Sequence, residues 1–338
     1  MSKKVNIPIK VVFFHRKRYK GNYSIENLFS QIRNAMSSNI ECSVVVARYL
    51  SKGFFRRVYI SFQAAFNQKD VNHVTGDIHF ITFFMRKRTT VLTIHDVGFM
   101  GNSNTIKRSF LKWFWIILPV KRSGIVTTVS IATRNELLKY VSIDANKIKV
   151  IYNPISPLFV SHPKVFNKEK PTILQIGTKH NKNILRLVQA LNGISCRLEI
   201  IGEVDGLLLS ELVNNKIDFV LSSELSSMEV VEKYKNADIL AFVSTQEGFG
   251  LPIIEANAIG RVVITSNIFS MPEVAGDAAH FVDPFNVASI REGFVKVIND
   301  DLYRDGLISR GLLNCVRFDV SEIASQYEKV YKELAGFE

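Results

Sequence analysis

Between Thr172 and Ser266, short apolar runs and helical patterns follow one another in strict alternation. The runs Thr172–Ile176, Leu198–Ile201, Ile217–Leu221, Ile239–Ser244 and Val262–Ser266 are separated by helical patterns that include Ile184–Leu191, Met228–Lys235 and Leu251–Ala258. Runs this short and this apolar read as strands buried on both faces, and their alternation with helices predicts an α/β, doubly wound parallel sheet. Such sheets bind ligands at the carboxyl ends of their strands. The first half carries a looser version, with strand-like runs at Lys10–His15, Cys42–Ala47, Ile78–Phe84, Thr90–His95, Ile125–Ser130 and Ile148–Ile151. Pro, Ser and charged residues interrupt the periodicity from Tyr152 to Lys170. The predicted division is therefore a first domain over 1–160 and a second over 161–319, with a closing helical pattern over 320–335.

Composition adds limits. At 338 residues and 47% hydrophobic, the chain can bury two cores. The N-terminal residues lack the apolar core of a signal peptide, and no apolar run reaches the length that crosses a bilayer. Three widely spaced cysteines fit reduced thiols rather than a disulfide framework or a zinc site. The net charge of +12 is uneven: residues 1–165 hold 26 Lys and Arg against 7 Asp and Glu, and the remainder hold 17 against 24. The first half therefore faces something anionic.

The stretch Glu247-Gly248-Phe249-Gly250-Leu251-Pro252-Ile253-Ile254-Glu255-Ala256 sits where a strand turns into a helix. Two glycines let the backbone approach a ligand, and a helix N-terminus favours an anion. The two carboxylates, beside such a site, suit hydroxyls rather than phosphate. These residues, with Ser270-Met271-Pro272-Glu273 and Val282-Asp283-Pro284 after them, resemble the E-x7-E region of the retaining glycosyltransferases of family four, over roughly residues 171–335. The resemblance implies a GT-B fold, two Rossmann-like domains facing across a cleft, with the last helix returning to the first domain. It also implies a nucleotide-sugar site in the second domain: Glu255 on the ribose, the Gly248, Phe249, Gly250 and Leu251 turn on the diphosphate, and Glu247 on the sugar.

Gly177-Thr178-Lys179-His180-Asn181-Lys182 is similar to the family's diphosphate loop, with Lys182 the best match to its lysine. The family often has an arginine near the positions of Thr178 or Asn181; this chain has none, and Lys179 is a substitute. In the first half, His95-Asp96-Val97-Gly98 follows a strand, and related enzymes place a histidine in such a context near the transferred sugar. His95 is thus the expected catalytic partner of Glu247, donating a hydrogen bond, with Asp96 orienting it. Gly21, Asn22, His73 and Asp77 are candidates for the acceptor side of the cleft; the alternative for the His73–His79 group is a structural turn before a strand. No D-x-D triplet and no G-x-x-x-x-G-K-[ST] occurs, so neither a metal nor a cofactor is expected, the nucleotide sugar being a substrate.

The implied reaction is metal-independent, retaining transfer of a hexose, with an expected lipid-linked acceptor of O-antigen, lipopolysaccharide or capsule synthesis. The expected location is the cytoplasmic face of a membrane, touched through two basic and aromatic stretches, Arg48–Arg57 and Lys107–Arg122. A GT-B epimerase, or a synthase with a soluble acceptor, is the alternative enzyme. A nucleic-acid-binding protein using the basic half is the alternative outside enzymes, although no nucleic-acid module is present, so no nucleic-acid partner is expected.

Overall fold

The computed structural model describes residues 8–17, 24–98 and 112–336. Two units are distinct. The first runs through Pro154 and takes back the chain from Val320; the second is Ile155–Asp319.

The first unit is built on a parallel sheet of six strands: β1 (Ile9–His15), β2 (Ile40–Val46), β3 (Val71–Val74), β4 (Thr90–Ile94), β5 (Ile125–Thr128) and β6 (Ile148–Val150), in the order β2-β1-β3-β4-β5-β6. Val11 to Phe14 are all buried, because a central parallel strand is covered on both faces and so shows no alternation. The order places β1 between β2 and β3, so the connections on the two sides of β1 run in opposite directions and leave a crevice at its carboxyl end. The last helix, Val320–Ala335, belongs to this unit. Its Tyr331 is fully buried, with its hydroxyl 2.7 Å from His73 Nδ1, and its Glu328 accepts the Ser37 amide at 2.6 Å and hydroxyl at 2.9 Å.

One expectation fails here, and one strand was not foreseen. The run Ile78–Phe84 is not a strand; His79–Phe84 is a 3-10 helix with four successive buried residues, His79 to Thr82. A short apolar run looks the same whether it is buried as a strand or as a helical turn. The strand at this point is β3, whose Asn72 and His73 break the apolar pattern although every residue of it is buried. Asn72 is satisfied by Thr89 Oγ1 at 3.0 Å.

The second unit repeats the design with β7 (Thr172–Ile176), β8 (Arg197–Ile201), β9 (Asp218–Ser222), β10 (Ile239–Phe242), β11 (Val262–Ser266) and β12 (His280–Val282), in the order β12-β11-β10-β7-β8-β9, every pairing parallel. Its core includes Leu187, Leu198, Ile200, Leu212, Ile264 and Phe294, each with no exposed surface. The direction of winding changes between β7 and β10. The loops after those two strands are Gly177–Asn183 and Val243–Gly250, the two stretches that carry the candidate donor residues.

Candidate active site

In the second unit, Gly177 has φ 81°, and a Cβ there would lie 3.1 Å from Lys182 Cε. Glycine thus clears the path of the lysine stem, which runs back over the end of β7. Asn183 then takes a left-handed conformation (φ 58°) before the helix Ile184–Leu191, and its buried amide donates to Val243 O at 3.0 Å and Pro284 O at 2.6 Å. Asparagine tolerates that conformation better than most side chains and ties the loop to the end of β10.

Across the crevice, Gly250 (φ 112°) lets β10 turn into the helix Leu251–Ile259; a Cβ would meet Ile253 Cδ1 at 3.2 Å. Pro252 sits in the first turn and Gly260 (φ 82°) ends the helix, the expected placement for both residue types. Ser270, fully buried, donates to Phe249 O at 2.7 Å, or alternatively to Glu247 O at 3.1 Å, pinning the turn. The Phe249 side chain is buried and packs edge-on against Phe318, so it shapes the turn from inside and presents no ring to a ligand.

The two loops meet at charged groups. Lys182 Nζ donates to Glu247 Oε1 at 2.6 Å, with side chains 18% and 15% exposed. The ammonium also stands 4.7 Å from the centre of the Phe242 ring. Asn181, at a position where the resemblance implied a cation, donates to Gln246 O at 2.9 Å and Glu247 Oε1 at 3.3 Å. Glu255, half-buried one turn into the helix, accepts the Tyr234 hydroxyl at 2.6 Å. Burial pushes its carboxyl up to about 7, although the Tyr234 bond and then the Lys182 charge pull it down. Burial first, and then the Glu255 charge, hold the Tyr234 phenol well above its ordinary value, so it remains a donor.

Thr178 and Lys179 lie elsewhere. With His180, Arg186, Glu203 and Asp205 they line a hollow of about 490 Å³, and the Thr178 hydroxyl donates to Glu203 O. They do not join the Lys182–Glu247 pair.

In the first unit, His95 follows β4, and its Nε2 is 2.8 Å from Thr75 O. A carbonyl only accepts, so Nε2 carries the proton. Burial lowers the pKa of the ring, and the neutral ring therefore offers Nδ1 as an acceptor. The expected hydrogen-bond donation is corrected to acceptance. Asp96 does not orient this ring; its Oδ1 accepts the Gly98 amide at 3.1 Å. His73, proposed for a cleft, has no exposed surface, and its ring nitrogens face Tyr331 Oη and Thr93 Oγ1, each at 2.7 Å. Its site is the core, where it joins β3 to the last helix. Asp77 is exposed at the crevice and pairs with Arg16, which also donates to buried Glu26 at 3.0 Å. Gly21 and Asn22 lie outside the described residues.

Tyr234, Asn181, Ser270 and Arg16 were not expected. Arg16 lies in a basic loop after a strand, and Asn181 and Ser270 lie in the stretches that carry the resemblance, but the partners of Tyr234, Asn181 and Ser270 are 21 or more positions away. Among the described residues, no three His, Cys, Asp or Glu side chains come together as a metal site.

Residues 160–312 match the family described as glycosyl transferases group 1, and residues 39–157 match glycosyltransferase family 4. The O-antigen chain mannosyltransferase RfbU of Salmonella typhimurium is 30% identical over 209 residues, 58% of this chain and 57% of that one. The O-antigen chain mannosyltransferase B of Escherichia coli is 38% identical over 101 residues, 30% of this chain and 26% of that one. The chain thus spans well under two thirds of the length of either relative. A solved structure of HepE from Anabaena in complex with UDP is similar over 96% of this chain and 100% of its own, with TM-score 0.75 and 15% identity, a likeness of fold. Each unit thus carries a region that matches a glycosyltransferase model, family 4 in the first and group 1 in the second, and the fold is that of the GT-B glycosyltransferases.

Proposed function

We propose that the protein transfers a hexose, mannose first among the candidates, from a nucleotide sugar to a lipid-linked glycan acceptor in surface-polysaccharide synthesis, with retention of anomeric configuration. The observation that carries this reading is the meeting of Lys182, Glu247 and Glu255 at the β7/β10 crevice. A lysine is the cation for a diphosphate that departs with growing negative charge. Glu255 suits the vicinal hydroxyls of a ribose, which donate to a carboxylate. Glu247 suits a sugar hydroxyl once the diphosphate draws Lys182 away. The names of the two O-antigen mannosyltransferases support mannose and a lipopolysaccharide acceptor, and HepE, solved with UDP, supports a nucleotide ligand for the fold.

In the step proposed, the bond from the anomeric carbon to the phosphate oxygen breaks first. The acceptor hydroxyl attacks from the same face, and its proton passes to the departing diphosphate. No side chain here is assigned as a covalent nucleophile. The acceptor nitrogen of His95 suits a sugar hydroxyl. His95→Ala is expected to lower kcat by about tenfold, the worth of one neutral hydrogen bond, with the circular dichroism spectrum unchanged; an unaltered kcat removes His95 from the reaction.

A family-type diphosphate lysine and the absence of a D-x-D triplet support catalysis without a divalent metal. EDTA is therefore expected to leave turnover largely intact, and activity that returns only with added manganese or magnesium counts against this point. The basic first half supports work at an anionic membrane surface; no helix among the described residues is long and apolar enough to cross a membrane. The test of the whole reading is labelled GDP-mannose offered with detergent-extracted lipid-linked acceptor or with free sugars. Label in the lipid fraction, with the product's anomeric signal matching the donor's, is the expected result. Label only in a soluble sugar favours a synthase.

A further inference from the structure

The helix Phe54–Phe66 turns its aromatic side outward. Its inward residues are Ile60, Ser61 and Ala64. Phe55, Tyr59, Phe62 and Phe66, spaced to form one stripe along a helix, are 85%, 43%, 46% and 85% exposed. Phe84, from the neighbouring 3-10 helix, extends the stripe with its ring 5.2 Å from that of Phe62. A soluble surface seldom carries so many contiguous exposed rings without a partner for them.

The charges beside the stripe identify the partner. Arg48, Lys52 and Arg56 are exposed around the start of this helix, and the sequence holds no acid between Glu41 and Asp70. Rings facing out with cations at their edge match an interfacial helix, whose rings enter the headgroup boundary while its cations meet anionic lipid. A second copy of the chain would bring the same cations against these. Single-stranded nucleic acid would need a groove to follow, whereas this is the outer side of a helix. Of the other basic and aromatic stretch, residues 107–111 lie outside the described residues; in the rest Trp113 is 47% exposed, but Trp115 packs on Phe80 and under Arg57.

We propose that the outward face of the helix Phe54–Phe66, with Arg48, Lys52 and Arg56, is the element that docks the protein on anionic lipid, an inference that rests on the proposed work at a membrane. The test is co-sedimentation of the full chain with phosphatidylglycerol vesicles and with neutral phosphatidylcholine vesicles, at low and high salt. The variants are Phe55→Ser/Phe66→Ser and Lys52→Gln/Arg56→Gln, all at exposed positions and checked by circular dichroism.

The parent protein is expected to bind only the anionic vesicles and to be released by salt. Each double variant is expected to lose tenfold or more in partition coefficient while its turnover of a detergent-solubilised acceptor stays unchanged. If the parent binds and the phenylalanine variant binds equally, this helix is not the docking element, although the membrane reading stands. If the parent stays in the supernatant, both fail. If light scattering shows the phenylalanine variant breaking a dimer, or an oligonucleotide titration shows it losing affinity, while vesicle binding is unaffected, the face serves another partner and the proposal is overturned.

Discussion

Replacing Glu247 by glutamine is expected to lower kcat roughly 100- to 1000-fold, the scale of removing one preorganised electrostatic contact to the reacting centre, while nucleoside-diphosphate binding holds or improves. The second half of this expectation follows from the 2.6 Å ion pair with Lys182. The carboxylate pairs with Lys182, the cation proposed for the diphosphate, so an incoming diphosphate must compete with it. Glutamine keeps the shape, removes the negative charge and leaves the lysine available. Lys182→Ala is the reciprocal case: it leaves Glu247 without its counter-ion and removes the phosphate contact, so nucleotide affinity falls. A Glu247→Gln variant that binds nucleoside diphosphate at least tenfold more weakly would assign that carboxylate to nucleotide rather than to sugar.

Binding of a nucleotide sugar is expected to strengthen as pH rises through about 7 and to level off above it, because the Glu255 carboxyl of the free protein titrates at about 7. Ribose hydroxyls donate more strongly to the ionised carboxylate than to the neutral acid, so binding favours loss of the proton. Below that pH, affinity is expected to fall with each unit, by no more than about tenfold. The ligand must be the nucleotide sugar, not the free diphosphate, since a terminal phosphate has its own second ionisation near pH ~6. Glu255→Gln abolishes the slope. Tyr234→Phe removes a bond that lowers the carboxyl's pKa, and so moves the slope to higher pH. The same raised value predicts the sign for stability: the neutral form is favoured in the folded protein, so this group's contribution is lost as pH rises through about 7. Ligand-free parent protein should therefore gain less stability than Glu255→Gln between pH 6 and pH 8. Calorimetric titrations across this range check the binding slope, and a profile for the parent as flat as that of Glu255→Gln removes Glu255 from the ribose.

The second unit is legible in the sequence because its strands are short, apolar and regularly spaced, and because glycine marks both turns of the site. Gly177 and Gly250 have backbone angles that other residues rarely adopt, and a local pattern can carry that information. The pairing of Lys182 with Glu247, 65 positions apart, and of Tyr234 with Glu255, 21 apart, is fixed by sheet order, which no local pattern encodes. In the first unit, polar but buried Asn72 and His73 hide β3, and a 3-10 helix stands where an apolar run suggests a strand. The helix Phe54–Phe66 teaches a further point. Periodicity defines its aromatic face, but only the fold shows that this face points outward.

The claim at the centre of this account is that the β7/β10 crevice is the donor site. Isothermal titration of GDP and of UDP into the parent protein, Lys182→Ala and Glu255→Gln at one pH above 7 tests it most directly. At least one nucleotide is expected to bind the parent and to bind both variants about tenfold or more weakly, the loss of one charge-assisted hydrogen bond in each. A nucleotide that binds the parent and both variants with equal affinity would show that the donor sits elsewhere.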